Sequence, residues 1–315
     1  DMVHANYTKR DIAGMTAQEQ LDAIDGKTHE LVENQYRTYN RMLLPLLKQH
    51  GLRVVTEHEK LTKEEAVYVD RYFEESVYPV LTPMAVDSSR PFPLIHNKSL
   101  NIAALVRKKK GDGELEFAMV CVPGGLPRVV ELPCQEGKSI IYLEEVIERN
   151  IDKLFLNYDI ISCHPFRVMR NADLSIDEDE AEDLLKEIEQ KLKKRQWGEA
   201  IRLEIEDNVD KRLLNILRKA DKRLLDILKK ELHVGGHAIY EIDGPLDLTV
   251  LMKVFGLPGF DEFKTPPYTP QPVPALMNED DIFANIRKGD ILLTHPFETF
   301  EPVVTFIKTA ARAPE

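Results

Sequence analysis

The apolar positions of this chain change period several times. From residue 16 to about residue 50, Leu21, Ile24, Leu31, Val32, Tyr36, Tyr39 and Leu43 recur at three- and four-residue steps. That spacing predicts one long amphipathic helix. Thr16-Ala17-Gln18-Glu19 has the form of a capping box at its start. Pro45 is expected to kink its end and Gly51 to stop it. The stripe reads as the core of a helical bundle. A second capping box, Thr62-Lys63-Glu64-Glu65, opens a shorter helix with Ala66, Val69, Phe73 and Val77 on one face. Tyr78-Pro79 ends it.

Residues 79–93 hold four prolines and no helical period, so an irregular or extended run is predicted. Leu100–Val106 and Leu115–Val122 are apolar and rich in β-formers. They predict a hairpin whose loop, Arg107-Lys108-Lys109-Lys110-Gly111-Asp112-Gly113, is basic. Glu144–Asn150 reads as helix and His164–Arg170 as strand. An acidic helix starts at Ser175 or Asp177, with Ala181, Leu184, Leu185, Ile188 and Leu192 on its apolar face. Ile201, Leu203 and Ile205 alternate with Arg202, Glu204 and Glu206, the pattern of a half-buried strand. Asp210-Lys211-Arg212-Leu213-Leu214 recurs as Asp221-Lys222-Arg223-Leu224-Leu225, a spacing that puts both copies on one helix face. Ala238–Ile242 returns as strand, and Gly244-Pro245-Leu246-Asp247-Leu248 turns into a short helix ending near Gly256. Prolines 258, 266, 267, 270, 272 and 274 then mark an extended connection between domains. Ile291-Leu292-Leu293 reads as a buried strand. Glu301-Pro302 opens a helix carrying Val303, Phe306, Ile307 and Ala310. His295 falls on the loop between them.

A length of 315 residues suggests two or three domains, and 43% hydrophobic with 30% charged residues fits a soluble globular protein. No apolar run approaches the ~20 residues that span a bilayer. Asp1-Met2-Val3-His4 does not open a signal peptide, and a start at Asp1 suggests a trimmed or partial chain. Cys121, Cys134 and Cys163 form no C-x-x-C pair, so neither a disulfide framework nor a zinc site is expected. Cys121 reads as a buried thiol, and a reducing cytoplasm fits. A net charge of −12 argues against a surface that binds nucleic acid or another polyanion all over, while leaving room for a local basic channel.

The candidate chemistry is sparse. The acids Asp177, Glu178, Asp179, Glu180, Glu182 and Asp183 could hold a metal, but they suit a solvated first turn that the helix dipole favours. The Arg107–Lys110 loop could grip a phosphate, yet such loops are usually just solvated. His295, with no identified partner, reads as packing or capping its loop. No catalytic residue and no metal ligand is assigned, and no cofactor-binding residue can be named.

Several of these segments, taken in order, resemble the ATP-using, phosphohistidine-forming polyphosphate kinases. Gly14-Met15-Thr16-Ala17-Gln18-Glu19-Gln20-Leu21 is similar to the later part of that family's helical N-terminal domain. Tyr78-Pro79-Val80-Leu81-Thr82-Pro83 and Arg90-Pro91-Phe92-Pro93 resemble the opening of its head domain. Arg167-Val168-Met169-Arg170-Asn171-Ala172-Asp173-Leu174 and Gly244-Pro245-Leu246-Asp247-Leu248 resemble later head landmarks. Asp281-Ile282-Phe283, Ile286–Leu293, Thr294-His295-Pro296-Phe297-Glu298-Thr299-Phe300 and Val303–Ala311 look like the entry to the first catalytic domain.

The resemblance implies an α+β chain with three parts: a helical N-terminal segment over residues 1–51, a mixed head domain over 52–290, and the start of a phospholipase-D-like domain at 291–315. It implies transfer of the ATP γ-phosphoryl group through a phosphohistidine to polyphosphate, reversibly, with ATP and Mg²⁺ in the full-length enzyme. Polyphosphate and ATP/ADP are the implied partners, with homo-oligomer formation, no nucleic acid and no transmembrane segment. The implied location is cytoplasmic, with peripheral membrane association left open. The family's Ala-Arg-Phe-Asp-Glu-Glu and Gly-Leu-Lys-x-His segments do not occur in this chain, so no catalytic residue transfers. Where the family often has two histidines, a tyrosine, an aspartate and a serine, this chain reads Thr294, His295, Phe297, Glu298 and Thr299. On this reading the chain is an inactive dimerisation and channel-wall portion, holding no cofactor alone. The competing reading is a stand-alone scaffold that binds a polyanion or protein through Arg107–Lys110, Lys191–Arg195 and Lys211–Lys230.

Overall fold

Helix α1 (Ala17–Thr38) starts where the capping box places it. The Glu19 N–H donates to Thr16 Oγ1 (3.3 Å) and the Thr16 N–H to Glu19 Oε2 (2.7 Å). Both bonds satisfy backbone groups that a first turn leaves open. The structure, a computed structural model, describes residues 3, 8–86, 92–109, 115–171, 198–206, 217–276 and 282–312. The acidic helix from Asp177, the Lys191–Arg195 cluster, the first copy of the repeat and residues 110–113 of the basic loop lie outside the described residues. The chain divides into two compact units, Asp1–Phe255 and Gly256–Glu315.

The predicted long helix is interrupted. α1 passes through a π turn, Tyr39–Leu43, into α2 (Leu44–Gln49). Pro45 explains the position. It donates no N–H, and its ring crowds the carbonyl four residues back, at Arg41 inside the wider turn. The bundle-core reading of the stripe does not hold. No α1 residue is buried, and Leu21, Ile24 and Leu31 are exposed. Its C-terminal half does pack: His29 stacks on Tyr240, and Val32 and Tyr36 lie against Tyr240, Ile242 and Leu246.

The second capping box also forms, at the start of α3 (Lys63–Tyr72). A π turn over Phe73–Val77 extends it, burying Phe73 and Val77 completely. A three-stranded sheet follows the order β1 (Leu52–Val55), β6 (Lys138–Tyr142), β5 (Val129–Leu132), with β1 and β6 parallel. Gly137 sets the entry to β6. Its φ is +70°, and a Cβ there would run into the Gly51 carbonyl oxygen, which accepts from the Lys138 N–H (2.7 Å).

The larger sheet has six strands in the order β2 (Met84–Val86), β4 (Leu115–Cys121), β3 (Leu100–Lys108), β7 (Tyr158–Arg170), β8 (Ala200–Glu206), β9 (Ile239–Ile242). Its pairs are antiparallel except β8 with β9. β3 and β4 are the predicted hairpin. β3 is covered on both faces. Ile102, Ala104 and Val106 pack with Phe73, Val77, Ile141 and helix α4 (Leu143–Arg149). Ala103 and Leu105 pack with Phe166, Leu203 and the Leu224, Leu228 and Leu232 side chains of the Leu217–Leu232 helix. Burial on both faces explains an unbroken apolar run where a half-buried strand would alternate. Cys121 departs from the sequence reading: it is exposed at the end of β4, its Sγ donating to the Leu100 carbonyl oxygen at 3.7 Å.

β8 departs further. Leu203 and Ile205 face the core as predicted, but Ile201, at the start of the strand, is exposed, and Glu204 and Glu206 are buried, at 5% and 4% exposure. The alternation names the apolar face correctly; the charged face is roofed by other charged groups rather than by water. Three of those are Glu144, Glu145 and Glu148 on α4, all buried.

The smaller unit is sparsely ordered by backbone bonds. Between Pro258 and Pro274 the described residues carry one parallel bridge, Gln271 with Glu298. The Gln271 N–H donates to the Phe297 carbonyl (2.8 Å) and the Thr299 N–H to the Gln271 carbonyl (2.9 Å). Prolines cannot donate to a ladder, which accounts for the rest. Ile291–Leu293 is irregular rather than a strand, because no neighbouring strand among the described residues offers a ladder to it. The Glu301–Ala310 helix forms as predicted, with Pro302 in its first turn and Phe306 against Phe283 at 5.6 Å.

Burial holds the Glu206 carboxyl well above its usual range, and the charges of Glu145 and Glu144 push it the same way. A raised folded-state value means that the folded chain binds more protons than the unfolded one between the two values. The stability linked to this group is therefore full below the ordinary carboxylate range and is lost as pH rises. Glu206→Gln should gain in Tm over the parent as pH goes from about 4 to about 8 in metal-free buffer. Parallel pH profiles for the two proteins would contradict the buried charge.

Leu292 is 87% exposed and Ile307 59%. A short helix with an unpacked apolar face is marginal in water. Amides across Leu292–Ile307 should exchange faster than those of Ile201–Ile205 in the monomeric chain. Equal protection in the two segments would show that the smaller unit is as stable as the large sheet.

Candidate functional site

Helix α1, strands β7 and β8 of the large sheet and the 247–252 segment line an open cleft of about 980 Å³. Tyr36, Tyr39, Arg167, Arg202, Glu204, Asp247 and Met252 are among its lining residues. Several bonds hold α1 over it. Tyr36 Oη donates to the Pro245 carbonyl (2.8 Å) and Asn40 Nδ2 to the Asp243 carbonyl (2.8 Å). Tyr39 Oη meets Tyr142 Oη at 3.3 Å. Burial pushes the Tyr36 and Tyr39 hydroxyls far up, so both stay neutral.

The arginines of the cleft are matched by acids. Arg167 lies 3.4 Å from Glu204 and 3.6 Å from Asp247, while Arg202 Nη2 lies 2.7 Å from Glu204. The Arg202 guanidinium sits 3.8 Å from the Tyr240 ring centre, and His29 stacks on that ring at 4.0 Å. These cations are neutralised in place, so the cleft is no open polyanion track.

Asp247 adopts φ +59°, and its Oδ1 accepts from Thr249 Oγ1 (2.7 Å). This turns the Leu246 and Asp247 carbonyls toward Arg128, which donates to both. Arg128 also grips Glu144 at 2.5 Å. The Gly244–Leu248 segment, read in the sequence as a turn into a short helix and as a landmark, is thereby also the knot between α1, α4 and the sheet.

His295 lies where it was expected, on a loop, with its Nδ1 3.0 Å from the Glu298 carbonyl oxygen and its ring 5.2 Å from Phe300. The Thr294 N–H donates to Glu298 Oε2 (2.7 Å). The histidine is a member of a closed local turn. In the basic loop, Lys108 pairs with Glu116 (2.6 Å) and Lys109 donates to the Leu156 carbonyl (3.1 Å). Lys222 and Arg223 of the second repeat are exposed on a helix whose Leu224 and Leu228 are buried.

A cluster that sequence reading missed lies under α4. His58 Nδ1 is 3.1 Å from Glu145 Oε2, which also accepts from the His58 N–H (2.9 Å). One oxygen of Glu148 joins them, with all three candidate ligand atoms within 4.8 Å of one another. Burial raises the Glu145 carboxyl, with His58 opposing, and raises Glu148 further, with Glu145 and Glu206 adding. The available signal was an acid pair at Glu144-Glu145 inside the apolar run Ile140–Ile147. Glu65 is a second buried acid that the capping pattern named for one role only. It also binds Arg53 (2.5 Å) and accepts from Ser139 (3.2 Å). Burial would raise its carboxyl, but the Thr62 N–H and Arg53 hold it below the usual range.

Known proteins align with this fold along its whole length. A family model described as polyphosphate kinase N-terminal domain matches residues 1–55. The polyphosphate kinase middle domain matches 64–254, and C-terminal domain 1 matches 281–315. The chain is 42% identical over 324 residues to a polyphosphate kinase of Halalkalibacterium halodurans, covering 100% of this chain and 44% of the relative. It is 42% identical over 311 residues to one from Lactiplantibacillus plantarum, covering 98% and 41%. The crystal structure of polyphosphate kinase from Porphyromonas gingivalis superposes with a TM-score of 0.66 at 23% identity, over 94% of this chain and 41% of that one, a likeness of fold. The chain thus spans less than half the length of these relatives. The middle-domain match alone takes in more than half of the chain, and on that ground the chain belongs to the polyphosphate kinase family.

Proposed function

We propose that this chain is the non-catalytic portion of a polyphosphate kinase, serving dimer formation and the wall of a polyphosphate channel. Residues 1–51 would be its helical segment, 52–290 its head and 291–315 the start of its first catalytic domain. The observation that carries the reading is the order of the three family matches along one chain. In the whole enzyme, an imidazole nitrogen attacks the γ-phosphorus of ATP, and ADP leaves with the electrons of the broken P–O bond. The phosphoryl group then passes from the histidine to a terminal oxygen of polyphosphate. Mg²⁺ offsets the charge of the phosphate oxygens during both steps.

The described side chains support a structural rather than a reactive role here. His295 Nδ1 is engaged by a backbone carbonyl, and Arg128, Arg167 and Arg202 are committed to carboxylates. No residue of this chain is assigned to ATP or Mg²⁺. The proposed setting is a cytoplasmic homo-oligomer. No helix among the described residues is long and apolar enough to cross a membrane.

Incubated with γ-labelled ATP and Mg²⁺, the chain should acquire no acid-labile label on histidine. Stoichiometric labelling of any histidine, His295 included, would overturn the non-catalytic reading. In sedimentation equilibrium the chain should run as a dimer or larger assembly. A single monomeric species across micromolar concentrations would remove the dimerisation role.

A further inference from the structure

We infer that His58, Glu145 and Glu148 form a binding site for one divalent transition-metal ion. The site is built from two elements. His58 opens the short 3₁₀ turn His58–Lys60, and Glu145 and Glu148 stand three residues apart on α4. That spacing puts both carboxylates on one helix face. A tetrahedral ion with bonds of ~2.0–2.2 Å holds its ligand atoms about 3.3 Å apart. His58 Nδ1 and Glu145 Oε2 are already 3.1 Å apart, and one ligand atom from each of His58, Glu145 and Glu148 lies within 4.8 Å of the other two. A rotamer adjustment of Glu148 completes three ligands.

A further observation points to a cation. Glu148 Oε2 is fully buried with no hydrogen-bond partner among the described residues, on a residue only 5% exposed. An unpaired buried carboxylate oxygen is costly, and a metal ion is one of the few groups that can satisfy it there. The imidazole is held toward the acids: its Nδ1 bonds Glu145 Oε2, the contact an ion would replace, while Nε2 lies 3.3 Å from the largely exposed Glu59 Oε1. The local charge balance agrees. Glu144 is matched by Arg128, whose charge also reaches Glu206, and His58 is the cation paired with Glu145.

The ligand set selects the kind of ion. An imidazole nitrogen suits Zn²⁺ and its transition-metal neighbours, whereas Mg²⁺ and Ca²⁺ take oxygen ligands. Entry is open on one side, since the His58 side chain is 23% exposed and Glu59 71%. Bound there, the ion would staple the turn before α3 to α4.

The test uses the full 315-residue chain, stripped with EDTA, dialysed and titrated calorimetrically with Zn²⁺. One ion per chain is expected, with a rise in Tm. Glu148→Gln and His58→Asn should each weaken binding by more than the ~10–100-fold that an outer-shell partner costs. His237→Asn, exposed and outside the cluster, should bind as the parent does. X-ray absorption of the zinc-loaded parent should show one imidazole, oxygen ligands and no sulfur, which decides the matter even if a variant fails to fold. Absence of 1:1 binding, unchanged affinity in both variants, or sulfur in the ligand shell would overturn the site.

Discussion

The larger unit depends on a strand with no wet face. β3 is covered by one apolar cluster through Ile102, Ala104 and Val106, and by another through Ala103 and Leu105. Each covering layer is fixed by the other through this strand, since shifting its register by one residue would exchange the two sets of side chains. Alanines at 103 and 104 let the layers approach, while Phe73 and Phe166 fill the space on either side. Neither layer is a finished core alone.

That double coverage has an electrostatic consequence. β8 sits two strands from β3, and its polar side faces the protein interior around α4. Carboxylates that could have been solvated are therefore desolvated together. The chain handles some of them conventionally, Glu144 with Arg128 and Glu204 with Arg167 and Arg202. Glu148 and Glu206 each keep an oxygen with no hydrogen-bond partner among the described residues. Charges held in this way contribute little to stability, because desolvation opposes the Coulombic gain.

Local signals were legible where their cause is local. Both capping boxes, the β3–β4 hairpin, the Leu143–Arg149 helix and the Pro302 helix start rest on neighbours within a few residues. The exposed stripe on α1 was misread because periodicity says that a face is apolar, not that a second helix lies on it. β8 was misread for the mirror reason: alternation identifies the polar side without saying what meets it. His58 and Glu145 are 87 residues apart, and no period or spacing joins them. Family resemblance supplied what those patterns could not, the order of domains, and it is silent on the carboxylates.

The π turn at Tyr39–Leu43 acts as a phase element. It accommodates one residue more than a regular helix would over the same length, and each α-helical residue turns the axis by about 100°. The azimuth of everything N-terminal to it is thus set by a single residue. A one-residue deletion there would leave the helix continuous and its composition nearly unchanged. It would also swing Val32 and Tyr36 away from Tyr240, Ile242 and Leu246, and carry Tyr36 Oη off the Pro245 carbonyl. Relatives of this chain that differ in length within α1 can then keep its docking only if the change falls before Asp25, because Asp25 meets His237 and His29 stacks on Tyr240.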